Sequence, residues 1–324
     1  MKRVGYLLKK QWFIFALLLA VSAGITFPQA ASLNPGGRLT SLIVALVFLG
    51  IGFTLPSESL IRGLTKWKRH LFIQGYIFFF TPLFFLLTLP IIRPYITVEL
   101  YIGLLALSVL PTTISTCSVF TQISHGDVAL TLFNASFSNI IGVFLSPILL
   151  SLLLREVGAS IPISVLIDII TGLAFKMIVP LAMGQLLRFR YHQAAVDKKA
   201  LVGIASNLMI LSIVFLTLAK SASTPILKNS APLMMIPVLY LMVIHFLLIG
   251  IAVGIARLLR LPKTEMISIM YAAPQKTLAM GVPLMSAYFA DKPVLLGVAI
   301  LPLLFYHPWE LFIAGLLKTR VTSS

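Results

Sequence analysis

Apolar runs of about 20 residues recur along the whole 324-residue chain, and that pattern leaves few folds open. A helix of that length, rising about 1.5 Å per residue, crosses a hydrocarbon core of about 30 Å. In water the same runs would expose large apolar patches and aggregate. Composition agrees: 59% of residues are hydrophobic, only 10% are charged, and mean hydropathy is +1.03. Soluble domains carry about a quarter charged residues. The chain therefore reads as an all-α polytopic membrane protein. Runs and helix breakers give ten candidate spans: 10–27, 39–55, 70–89, 98–121, 127–154, 162–188, 200–219, 231–259, 264–289 and 293–317.

The net charge of +16 sits in short loops between these runs, which reads as topology rather than as a polyanion partner, so no nucleic acid is expected. Seventeen Lys and Arg fall in the N-terminus, the 56–69, 188–199 and 257–263 loops and the C-terminal tail. The alternate loops hold six: Arg38, Arg93, Arg155, Lys220, Lys228 and Lys292. That excess puts both termini in the cytoplasm of a multi-pass protein of the cell (inner) membrane. The stretch Pro28-Gln29-Ala30-Ala31-Ser32 resembles a signal-peptidase site, but cleavage would remove the first span and unbalance an internal repeat. A single cysteine, Cys117, excludes an internal disulfide, and no phosphate-binding loop, HExxH or GxSxG is present. No enzyme chemistry is expected.

The chain matches itself. Span 4 holds Leu110-Pro111-Thr112-Thr113-Ile114-Ser115 and span 9 holds Ala273-Pro274-Gln275-Lys276-Thr277-Leu278. Asp127 opens span 5 and Asp291 opens span 10, at nearly the same offset from the two prolines. Five spans per half make the halves enter the membrane from opposite sides. Residues 1–155 and 156–324 are thus expected to be two inverted five-helix repeats, with helices 4 and 9 broken and crossing, a pattern that points to a secondary transporter.

Proline removes an amide donor and frees carbonyls, which at membrane depth need protein or a polar cavity. After Pro111, Thr112, Thr113, Ser115, Thr116, Cys117 and Ser118 could supply a binding site or simply satisfy a kink. Span 9 is more telling, because Lys276 lies about 18 Å from its start. An unpaired cation there costs at least about 3 kcal/mol, so a partner or aqueous cavity is expected. Its ammonium could take the place of a bound cation beside two half-helix C-termini, or switch with a proton. On span 5, Asn134, Ser138 and Asn139 form one polar stripe that serves helix packing or a ligand equally well. His245 and His307 lie mid-span, His307 beside Pro308 and Glu310. Lys176 reads as site or snorkel, Gln74 as cavity lining or helix cap, and Asp168 carries no role.

Gly126-Asp127-Val128-Ala129-Leu130-Thr131 resembles the Gly-Asn/Asp-Val-Ala-Leu-Ser segment of the bile acid:sodium symporter superfamily. Lys276-Thr277-Leu278-Ala279-Met280-Gly281-Val282-Pro283 and Leu301-Pro302-Leu303-Leu304-Phe305-Tyr306-His307 are similar to segments of its SBF-like branch, which holds bacterial relatives of the seventh human family member. The resemblance implies a panel domain (helices 1, 2, 6 and 7) and a core domain (helices 3–5 and 8–10), with substrate beside the helix 4–9 crossing. It also implies sodium ligands near Ser118, Thr131 and Gln275. The family's Ser-Asn pair aligns with Cys117 and Ser118, however, one helix 5 hydroxyl aligns with Ala135, and its helix 9 Glu and Asn align with Tyr271 and Lys276. A cation stands where a carboxylate would be needed, which weighs against two sodium ions held as in the symporters.

The reading is a secondary active transporter of a small organic anion working by alternating access, embedded in the lipid bilayer, with no cofactor beyond Na+ or H+ coupling. The alternative is a non-transporting membrane protein that regulates ion or envelope homeostasis, although loops of about a dozen residues leave it little surface for a partner. An intramembrane hydrolase would need paired acids at mid-depth, and Asp127 and Asp291 sit at opposite faces.

Overall fold

A computed structural model describes residues 12–57, 65–155, 158, 162–222, 234–289 and 293–322. The N-terminal basic residues, Lys228, Asp291 and Lys292 lie outside them. Among the described residues the chain is all-helical, with seven helices long and apolar enough to cross a membrane, as a polytopic membrane protein requires. In chain order the helices are α1 (Trp12–Thr26), α2 (Arg38–Thr54), α3 (Trp67–Gly75), α4 (Thr81–Thr88), α5 (Val98–Ser108), α6 (Ser115–Ile123), α7 (Val128–Leu154), α8 (Ile163–Arg190), α9 (His192–Asp197), α10 (Lys199–Ala222), α11 (Met235–Leu258), α12 (Lys263–Ala272), α13 (Leu278–Tyr288), α14 (Pro293–Ala299) and α15 (Leu301–Thr322). Among the described residues, three expected spans fall short of a membrane crossing. The first is seen as the 15 residues of α1, while the fourth and ninth are each split in two.

The helices pack as two units. One comprises Met1–Leu55, Phe175–Ala231 and Met285–Val298, the other Pro56–Ala174, Pro232–Leu284 and Ala299–Ser324. In the first unit α10 packs on α1 and α2. Glycine sets the approach of α2 to the second half of α8. A Cβ on Gly52 would collide with the Leu181 carbonyl, and one on Gly184 with that of Leu49, so the two backbones touch.

Most of the buried polar side chains lie in the second unit. Helix α7 shows why: it buries Thr131, Asn134, Ser138, Asn139, Gly142 and Ser146, and exposes Phe137, Ile140, Phe144 and Ile148. Its amphipathicity is inverted relative to a soluble helix, with small and polar residues inward and large apolar ones outward. Asp127 caps its start, the side chain accepting from the Leu130 amide at 2.9 Å.

Between α3 and α4 the chain makes one π-helical turn, Tyr76–Phe80, in which the Thr81 amide reaches back five residues to the Tyr76 carbonyl. The next donor in that register would be Pro82, which has no N–H, so the Ile77 carbonyl is left without a helical partner and open to a donor from elsewhere in the fold.

Candidate functional site

Helix α5 ends at Ser108 and α6 begins at Ser115, leaving an irregular segment around Pro111. Five successive carbonyls there have left their helical pattern, and each takes a donor from elsewhere. Ser108 and Leu110 each accept from the Lys276 ammonium at 2.8 Å. Val109 accepts from the Ser146 hydroxyl at 2.7 Å, Pro111 from the Thr277 amide at 2.9 Å, and Thr112 from the Asn139 side-chain amide at 2.8 Å. An unsatisfied carbonyl in hydrocarbon costs several kcal/mol, so this complete pairing is what makes the interruption tolerable at membrane depth.

The second interruption lies between α12 and α13 and supplies most of those donors. Lys276 is 1% exposed, and its ammonium also lies 3.4 Å from the orphaned Ile77 carbonyl. Its backbone amide donates to the fully buried Glu310 carboxylate at 2.8 Å. Thr277 turns its hydroxyl onto the Ala279 amide, capping α13. Tyr306 donates its hydroxyl proton to the Pro274 carbonyl at 2.9 Å. Because that proton is used, His245, 2.8 Å away on α11, must donate from Nδ1 to the Tyr306 oxygen.

Beside Lys276, Gln275 is buried with its side-chain oxygen accepting from Thr113 at 2.6 Å and from the Cys117 thiol at 2.9 Å. Thr112 lies 3.2 Å from the same sulfur. The structure therefore brings together Thr112, Thr113, Cys117, Gln275, Lys276 and Thr277, and reaches His307 through Glu310, 2.6 Å from its Nδ1.

Other expected residues stand elsewhere. Thr131 bonds to Thr121 at 3.0 Å, and Asn134 joins His70 and Gln74 in a separate polar group. Ser115 is exposed, and the half-buried Ser118 donates its hydroxyl to the Ser115 carbonyl. The three residues aligned with sodium ligands, Ser118, Thr131 and Gln275, thus each bond to different partners. Lys176 and Asp168 are exposed.

Sequence reasoning missed four features. Glu310 entered only as a neighbour of His307, although an acid in an apolar span was itself a signal. Tyr306 and the π turn gave no local signal. The fourth is a chain of ion pairs at the membrane edge, where Lys66 bridges Asp127 and Glu265 at 2.7 Å each, and Arg69 meets the other oxygen of Glu265 at 2.7 Å. Burial pulls the Lys66 ammonium down, but its hydrogen bonds to Asp127 and Glu265 outweigh this and hold it above its ordinary range. Burial likewise pushes Asp127 up, yet Lys66 and the Leu130 amide hold it below the usual carboxylate range.

Comparison with known proteins extends over the same residues. The chain matches the SBF-like CPA transporter family over residues 11–323. It is 32% identical over 285 residues to an uncharacterized protein of Pseudomonas aeruginosa, covering 87% of this chain and 84% of the relative. It is 26% identical over 324 residues to sodium/bile acid cotransporter 7 of Xenopus tropicalis, covering 98% and 93%. It is also 26% identical over 313 residues to YfeH of Escherichia coli, a symporter by name, covering 95% and 92%. These relatives are transporters rather than enzymes where their names state an activity. A multi-pass membrane protein matched by the family over residues 11–323, the chain belongs to the SBF-like CPA transporter family.

Proposed function

We propose that the protein is a secondary active transporter of a small organic anion, working by alternating access from the inner membrane with both termini in the cytoplasm. Its frame is ten transmembrane helices in two inverted five-helix repeats, grouped as panel and core, with the interruptions of the fourth and ninth helices exposed to one side and then the other. Lys and Arg distribution, seventeen against six, supports the orientation.

One observation carries the reading. In secondary transporters unwound carbonyls at half-helix C-termini hold the coupling cation. Here the carbonyls of Ser108 and Leu110 hold the Lys276 ammonium. Lys276 is therefore a resident cation, built into the chain where a symporter would bind and release one, and sodium has no vacancy to fill. The start of α13 is already taken by Glu310 and by the Pro111 carbonyl, whereas α6 starts without a side-chain cap beside the exposed Ser115. The anionic group of the solute belongs at that uncapped start.

Melting temperature of the purified protein in sodium chloride against choline chloride, for wild type and Lys276→Asn, tests the resident cation, because a ligand of the native state raises stability by mass action. Stabilisation by sodium in Lys276→Asn alone is expected. Equal stabilisation of the wild type would overturn the role of Lys276.

A further inference from the structure

Glu310 on α15 is fully buried, and both of its oxygens are in use. Oε2 accepts from the Lys276 backbone amide at 2.8 Å and Oε1 lies 2.6 Å from His307 Nδ1. The carboxylate closes the start of α13, which carries Lys276 and so the cation of the clamp. A neutral amide oxygen would also accept the Lys276 amide, but less strongly than a carboxylate, so an acid at this place makes a bond whose strength changes with protonation.

The groups that face Glu310 divide sharply. Lys276 has its ammonium committed to the carbonyls of Ser108, Leu110 and Ile77. Tyr306 gives its proton to Pro274 and is held by His245 of α11, and Tyr76 is bonded to the Leu248 carbonyl. From α6 the Cys117 thiol is bonded to Gln275, and from α12 Tyr271 is bonded to Ser124. Helix α5 has no titratable side chain from Ile102 to Ser108. Among the described residues, His307 is the titratable group whose ring nitrogen bonds to Glu310. Its side chain is 9% exposed, against 0% for Glu310.

We propose that Glu310 is a proton-binding site built into the second interruption, loaded through His307, whose occupancy sets the hold of the Lys276 segment on the first interruption. A proton arrives on the outer face of the imidazole, and the ring passes its Nδ1 proton to Oε1. Glu310 is then neutral and becomes a donor. Its charge-assisted bond to the Lys276 amide weakens, and with it the closure of α13. The reverse transfer returns the proton and restores the bond. By reciprocity, a state in which the clamp is loosened binds the proton more tightly than the clamped one. The inference rests on the transporter reading for its use, since it makes the proton the coupling ion of the same site.

The test uses full-length protein in proteoliposomes adsorbed on a solid-supported membrane, with the proton itself as probe. A jump from mildly alkaline to mildly acidic buffer, with no solute present, moves charge into a buried site and gives a transient current. Wild type and Glu99→Gln, a carboxylate at the far end of α5, are expected to show it. Glu310→Gln is expected to lose it at least tenfold, and His307→Gln to slow it. A full transient in Glu310→Gln overturns the proposal, as does its absence from wild type. Should Glu310→Gln fail to fold, infrared difference spectra of wild type and Glu310→Asp between the two buffers decide. A protonated-carboxyl band in the wild type that moves in Glu310→Asp supports the site, and a band that stays put, or none, overturns it. Flux is a separate readout: a transient without any solute uptake keeps the proton site and removes the transporter reading, and uptake in proteoliposomes lacking the transient does the reverse.

Discussion

Leu110-Pro111-Thr112 and Ala273-Pro274-Gln275 interrupt their helices with the same residue, yet the first turns five carbonyls toward its surroundings while the second turns donors toward it. The residues after each proline make the difference. Thr112 and Thr113 bring short hydroxyls, whereas Gln275 and Lys276 bring a carboxamide and a cation. Two similar proline-containing segments form the acceptor and donor halves of a single hydrogen-bonded unit. Two segments with the same side chains would leave both halves short of donors, and an ion from outside would have to fill the gap. Here that ion is covalently part of the chain.

The largest way to break this comparison is Lys276→Ala. It strands the Ser108 and Leu110 carbonyls and leaves Glu310 without its neighbouring charge. A loss of about 3–5 kcal/mol is expected in denaturant unfolding of the detergent-solubilised protein. A loss under about 1 kcal/mol would mean the halves do not depend on each other. Asn139→Leu keeps the volume of a buried side chain but removes the donor to the Thr112 carbonyl, for an expected loss of about 1–3 kcal/mol by the same measurement. Ser146→Ala frees only the Val109 carbonyl and is expected to lower stability by about 1 kcal/mol. If the order of these three were reversed, the carbonyls would be paired by water rather than by these side chains.

The smallest effect sharpens the comparison from outside it, at the chain of ion pairs. Asp127 is held below its unfolded value, so its contribution is present above about pH 4 and lost as pH falls through the folded value. Lys66 is held above its unfolded value, so its contribution persists at neutral pH and is lost only as pH rises past the lysine range. Asp127→Asn should flatten the acid limb of a stability–pH curve and leave the interruptions untouched. An unchanged acid limb would place its cause elsewhere in the chain. Lys66 is partly exposed, and solvent screening keeps its share modest.

Much of this was legible before the structure. The spans come from runs of apolar residues, and the interruptions from Pro111 and Pro274, because hydropathy and a missing amide are properties of the residues themselves. Lys276 stood out for the same reason, since a cation deep in an apolar run must find partners. The site was read only in part. Ser115 and Ser118 share a hydroxyl-rich stretch with Thr112 and Thr113, but the turn into α6 leaves Ser115 exposed and Ser118 bonded to the Ser115 carbonyl. Asn134 and Asn139 are both buried along α7, yet they meet different neighbours, His70 and the Thr112 carbonyl. A count of polar residues on a helix cannot separate these cases.

The sequence by itself determined that the chain is a bundle of membrane helices with two of them broken, because each of those facts depends on residues within one turn or one span. Tertiary structure alone decided which carbonyl meets which donor. Lys276 finds Ser108 and Leu110 across 168 and 166 positions, and Glu310 finds the Lys276 amide across 34. In hydrocarbon a polar group has no water to fall back on, so such distant pairings, which no local pattern encodes, decide what the interruption can hold.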